Sequence, residues 1–150
     1  MPDSIIFCYL LVAALPTMIW SQTKLSNFMM RLDQNITEIL SQPTPEQGEP
    51  LLYNLDEYIA HFRDVNHLLK FSPKFMYKTA KHLHEEGAPL FLNVDIDLEH
   101  LHNIFKWEDF KTDAINQYIE GIRNYTVTFN EVFPELSGVE FDKYDYESRE

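Results

Sequence analysis

Two His-x-His pairs, His82-Leu83-His84 and His100-Leu101-His102, stand close to Glu85, Glu86 and Glu99 and form the chain's most concentrated set of ligand-type side chains. Imidazole and carboxylate together suit zinc or copper, so His82, His84, His100 and His102 are the candidate metal ligands. Helical geometry works against them. Residues two apart on a helix point about 200° from each other, so neither pair chelates unless its backbone is extended or frayed. A metalloprotease helix requires His-Glu-x-x-His, and His84-Glu85-Glu86-Gly87-Ala88 lacks the second histidine. Surface histidine is the simpler reading of all four, as it is of His61 and His67 on the polar face of their helix. No metal and no cofactor is assigned.

Asp95-Ile96-Asp97-Leu98-Glu99 shares only its acids with a calcium loop. The apolar residues between them, the missing central glycine and the missing closing glutamate exclude an EF-hand, and acids at a helix start explain the run better. The four glycines, Gly48, Gly87, Gly121 and Gly138, lie too far apart for a phosphate-cradling loop or a nucleophile elbow. The signatures of nucleotide enzymes and serine hydrolases are therefore missing, and the chain reads as non-enzymatic.

Phe62, Phe75, Phe105, Trp107, Phe110, Tyr118 and Phe129 could line a cavity for an apolar ligand, although aromatic stripes more often fill a core. Three further signals concern modification. Asn35-Ile36-Thr37 and Asn124-Tyr125-Thr126 are N-glycosylation triplets, meaningful only on an exported chain. Tyr144 and Tyr146 stand among acids in the carboxy-terminal segment, a setting that suits tyrosine sulfation.

Export is what the first residues suggest. Residues 1–21 read as a secretory signal peptide, with an apolar run from Ile5 to Leu15, a helix-ending Pro16 and the small Ser21 before Gln22. The segment Met1-Pro2-Asp3-Ser4 carries an acid where such leaders carry a cation. Two alternatives stay open: an uncleaved anchor, which Lys24 and Arg31 would orient with the body in the cytoplasm, and a buried amino-terminal helix. The single cysteine, Cys8, lies within the leader, so the mature chain has no disulfide.

The net charge of -12 becomes -11 once Asp3 is removed with the leader. A field of that sign repels phosphate backbones and anionic lipid headgroups, which disfavours nucleic acid and membrane surfaces and leaves basic partners open. With 45% hydrophobic and 14% aromatic residues, the chain can fill one core without staples.

The elements that must carry these groups are helical. Leu25, Met29, Leu32, Ile36 and Ile39, widened by Phe28 and Leu40, mark an amphipathic helix. Ser41 to Pro50, with Pro43, Pro45, Gly48 and Pro50, reads as an exposed linker. A second helix is expected from an Asn54 cap, with Tyr53 and Tyr58 as its hydrophobic staple and Leu55, Tyr58, Ile59, Phe62, Val65 and Leu69 on its inner face. Ser72-Pro73 starts a third helix that ends near Gly87 and turns Phe75, Met76, Ala80 and Leu83 inward. Leu92 to Glu99 alternates like a strand, but its polar members are poor strand formers. A short extended piece and a helix from about Asp97 fit it better.

The last helix is expected to keep Trp107, Phe110, Ala114, Tyr118, Ile122, Tyr125, Phe129 and Val132 on one face, with Gly121 allowing close approach. Phe110, Tyr118, Ile122 and Phe129 are its predicted core. Tyr125 to Phe129 alternates and leaves a strand open, and Phe133-Pro134 should close the element. The acidic tail, residues 134–150, is expected to be disordered.

The fold class is thus all-α, four to five amphipathic helices in a small bundle spanning residues 22–133. The expected function is that of a secreted acidic protein, of signalling, secretory-gland or reproductive-fluid type, that binds another extracellular macromolecule. An extracellular carrier of an apolar small ligand is the alternative, and a metal-binding protein the third.

Overall fold

The computed structural model describes residues 24–136, and these contain five α-helices, two 3-10 turns and no strand. Helix α1 spans 24–41, α2 Gly48–Phe71, α3 Pro73–Glu86, α4 Leu98–Phe105 and α5 Asp109–Leu136. The turns Pro45–Gln47 and Leu90–Asn93 precede α2 and α4. The leader, Tyr144 and Tyr146 lie outside the described residues.

Helix α2 is the hub. It packs against both α3 and α5, with α3 also touching α5 and the short α4 closing on the start of α5. Directions follow from the contacts. Phe28 meets the His61 ring edge-on at 5.4 Å while Asp33 lies beside Tyr58, so α1 runs antiparallel to α2. Glu49 pairs with Lys111, Asp56 with Tyr118, and Ile59 lies over Gly121, so α5 runs parallel to α2. Tyr77 on Phe133 and His84 on Phe129 make α3 antiparallel to α5.

One hydrophobic core joins the helices. The α1 stripe is inside as the spacing predicts, with Met29, Leu32, Ile36, Ile39 and Leu40 buried. So is the α2 stripe through Leu55, Tyr58, Phe62, Val65 and Leu69. In α3, Met76, Ala80 and Leu83 are buried, together with Tyr77 and Thr79. The three-residue break Gln42 to Thr44 is much shorter than the expected linker. Helix α2 already includes Gly48, Glu49 and Pro50, because the first-turn N–H groups have no intrahelical acceptor and a proline there removes nothing. The Asn54 cap is accordingly overturned: Asn54 sits inside α2, and Tyr53 is 63% exposed instead of stapling Tyr58.

Two further expectations are corrected in α5. Its buried residues are Ile115, Ile119, Ile122, Phe129 and Phe133, whereas Phe110 is 61% exposed and Tyr118 is only partly covered. Each step of four residues gains about 40° of rotation, so three such steps carry Phe110 about 120° round the helix from Ile122. Pro134 does not end the element, which continues to Leu136. Tyr125 to Phe129 is helical, and Leu92 to Glu99 resolves into turn, loop and helix, with Asp97 capping α4 by accepting the His100 N–H at 3.1 Å.

Candidate functional site

The four candidate histidines occupy separate places. His82 shares a 2.6 Å hydrogen bond through Nδ1 with Ser26 of α1, and its Nε2 lies 3.8 Å from Glu86. His84 lays its ring on Phe133, with centroids 4.7 Å apart. His100 is exposed on the first turn of α4, and His102 hydrogen-bonds Thr112 at 3.2 Å. Within each pair the two side chains therefore turn to different neighbours, as their helical spacing requires. Among the described residues no three His, Cys, Asp or Glu side chains converge on a point that could hold a metal. His61, half-buried, bonds Glu57 at 3.2 Å, and His67 packs on the exposed Phe71.

Four of the seven aromatic side chains that could have lined a cavity pack in pairs. Phe62 packs on Phe129 at 5.6 Å and Phe105 on Trp107 at 4.6 Å. Trp107 in turn covers Gly48 so closely that a Cβ added there would fall 2.7 Å from the indole. Glycine is what lets the start of α2 accept that ring. Asn35 and Asn124 are both exposed, in the middles of α1 and α5, and the hydroxyl of Thr126 is engaged with the Ile122 carbonyl at 2.8 Å.

The most distinctive surface is the end where α2 and α5 begin. Lys111 reaches Glu49 at 2.6 Å and holds the two helix starts side by side. Tyr53 and Phe110, one from each helix, stand exposed in the first two turns. Around them in sequence are Glu46, Asp56, Glu108, Asp109 and Asp113, all exposed. Each is an exposed ring with acids near it in the sequence.

One polar group that spacing alone did not single out is Asp33. Its carboxylate accepts the backbone N–H of Leu90 at 2.9 Å and of Phe91 at 3.1 Å, tying α1 to the turn before α4. Phe91 is fully buried, so this cap supplies a partner for an N–H that would otherwise face the core. Asp33 is one turn before the Thr37 of a sequon on a half-buried flank, and nothing local marks it as a long-range cap. Beside it, burial pushes the Tyr58 phenol well above the usual tyrosine range, and the Asp33 charge adds to the shift.

Compared with known protein families, curated proteins and solved structures, the chain matches none.

Proposed function

We propose that this chain is a secreted, acidic helical protein that acts by binding another extracellular macromolecule with basic surface. The observation that carries the reading is that Tyr53 and Phe110 are both exposed near the acidic end where Glu49 and Lys111 hold two helix starts together. Exposed aromatic groups are enriched at protein interfaces, and large ones cost solvation when left uncovered. The surrounding acids favour approach of a positively charged partner and disfavour nucleic acid. Secretion is supported by the apolar run Ile5 to Leu15 followed by Pro16 and Ser21, and the exposure of Asn35 and Asn124 suits glycan attachment.

The test has two readouts on the full-length chain expressed in secreting cells. Intact mass of the medium product should show a start near Gln22 and glycan mass that disappears in the Asn35→Gln, Asn124→Gln variant. Chemical cross-linking in the native fluid should yield a partner adduct that is lost when Tyr53 and Phe110 are both changed to serine while the melting temperature holds. Retention of the chain inside the cell, or an adduct indifferent to the double change, would overturn the reading.

A further inference from the structure

Between α1, the end of α3 and the loop Gly87 to Leu90 lies an open cleft of about 160 Å³. That is well below the ~300 Å³ at which drug-sized ligand sites begin, and it suits a single side-chain-sized group. Its walls combine two acids, Asp33 and Glu86, with apolar surface from Met30, Leu83 and Pro89, and the Tyr58 side chain. No cation lines it.

Two features separate this cleft from an ordinary acidic surface. Tyr58 is only 4% exposed and lines the cleft, no described residue hydrogen-bonds its hydroxyl, and that oxygen is not sealed in the core. The phenol oxygen thus has only what enters the cleft, water or ligand, to bond it. The second feature is the state of Asp33. Its partners are the Leu90 and Phe91 N–H groups and the Thr37 hydroxyl, all neutral, so no lysine or arginine among the described residues balances its charge. A nearly buried acceptor and an unbalanced carboxylate thus share one small space with an apolar wall.

We propose that this cleft binds a primary alkylammonium group, carried either by a free amine or by a lysine side chain. The ammonium offers three donors and no acceptor, which matches the two carboxylates and the phenol that line the site beside the Gln34 amide. Its charge answers Asp33, and Glu86 adds a second attraction at the rim. The alkyl stem lies against Met30, Leu83 and Pro89, as long basic side chains do when they cover apolar surface and keep the head on a polar group. A phosphate or carboxylate would meet two carboxylates and is excluded. The proposal deepens the basic-partner reading if the ammonium comes from lysine, and stands without it if the ammonium comes from a free amine.

The experiment follows the amide resonances of Gly87 and Ala88 in the full mature chain during titration. The probes are n-butylammonium chloride, neutral n-pentanol and the blocked peptide acetyl-Ala-Lys-Ala-amide. Saturable shifts with butylammonium and none with pentanol are expected. Tyr58→Phe, which removes only the unbonded hydroxyl, should weaken butylammonium binding about tenfold, as loss of a hydrogen bond to a charged group does. Glu86→Gln, at an exposed position, should weaken it in the same direction. A matching response to the peptide assigns the site to lysine side chains, and a response to butylammonium alone assigns it to free amines. Equal shifts with pentanol, or wild-type affinity in Tyr58→Phe and Glu86→Gln together, would overturn the proposal. Cross-linking through Tyr53 and Phe110 is read elsewhere on the surface, so either result can fail without the other.

Discussion

The Tyr118 hydroxyl donates to Asp56 Oδ1 at 3.0 Å, and the two residues are separated by the same interval as Glu49 and Lys111, or Ile59 and Gly121. Helices α2 and α5 therefore meet along a parallel seam in constant register. Two glycines set how closely the chain packs near it. At Gly121 an added Cβ would fall 2.7 Å from Ile59 Cδ1, the tip of a side chain that can move. At Gly48 it would meet the indole of Trp107 at several atoms, and a rigid ring cannot step aside. Gly48→Ala should therefore lower stability by about 1 to 3 kcal/mol. Gly121→Ala should stay within about 1 kcal/mol of wild type, because the gain in helix propensity offsets the shift of Ile59. Urea unfolding midpoints of the two variants decide the order.

Phenylalanines at the two ends of α5 should behave oppositely. Phe129 is buried against Phe62 and Phe133, and its replacement by alanine should cost about 3 to 5 kcal/mol. Phe110 faces solvent, so Phe110→Ala should change stability by no more than about 0.5 kcal/mol. Thermal melts of both variants test the corrected face directly.

Asp33 holds two N–H groups of a turn far along the chain. Asp33→Ala should cost about 0.5 to 2 kcal/mol, the range of a lost cap. The amide of Phe91 should also lose hydrogen-exchange protection, because its acceptor goes while its side chain stays in the core. Unchanged protection at Phe91 would mean that another group satisfies that N–H.

Alkaline stability should depend on Tyr58. Burial raises its phenol pKa above the ordinary 10.0, so the folded state holds the proton more tightly than the unfolded chain. Stability from this group is fully present below the unfolded value and falls as pH rises above it, since only the unfolded chain then releases the proton readily. Tyr118 shifts the same way, through partial burial first and then its bond to Asp56. Melting temperatures from pH 8 to 11.5 should therefore fall more steeply in wild type than in Tyr58→Phe. Parallel curves would count against an unbonded, buried phenol.

Periodicity made α1, α2 and α3 legible, since Met29 to Leu40, Leu55 to Leu69 and Met76 to Leu83 each repeat at helical spacing and each face is buried. It misled in α5 because aromatic size drew the stripe through Phe110 and Tyr118, while Ile115 and Ile119, nearly in line with Ile122, carry the core. Alternating steps of four and three from Ile115 to Phe133 contain that signal. The start of α2 was hidden for a different reason. Gly48 and Pro50 are breakers inside a helix but harmless in its first turn, and the Trp107 indole that rests on Gly48 is remote in sequence. The Asp33 cap and the Tyr58 cleft depend on contacts between distant segments, and no local pattern encodes those.

Because α2 and α5 are parallel neighbours, the chain must travel back along the molecule through α3, the Leu90 turn and α4 before the seam can close. That return path includes Gly87 and Ala88, both exposed, with Gly87 at a positive φ of 83°. The covalent link through this bend supplies the effective concentration at which the two halves of the domain find each other. Cutting it would turn an internal pairing into an association of two fragments, and the unfolding midpoint of the nicked protein would then rise with its concentration.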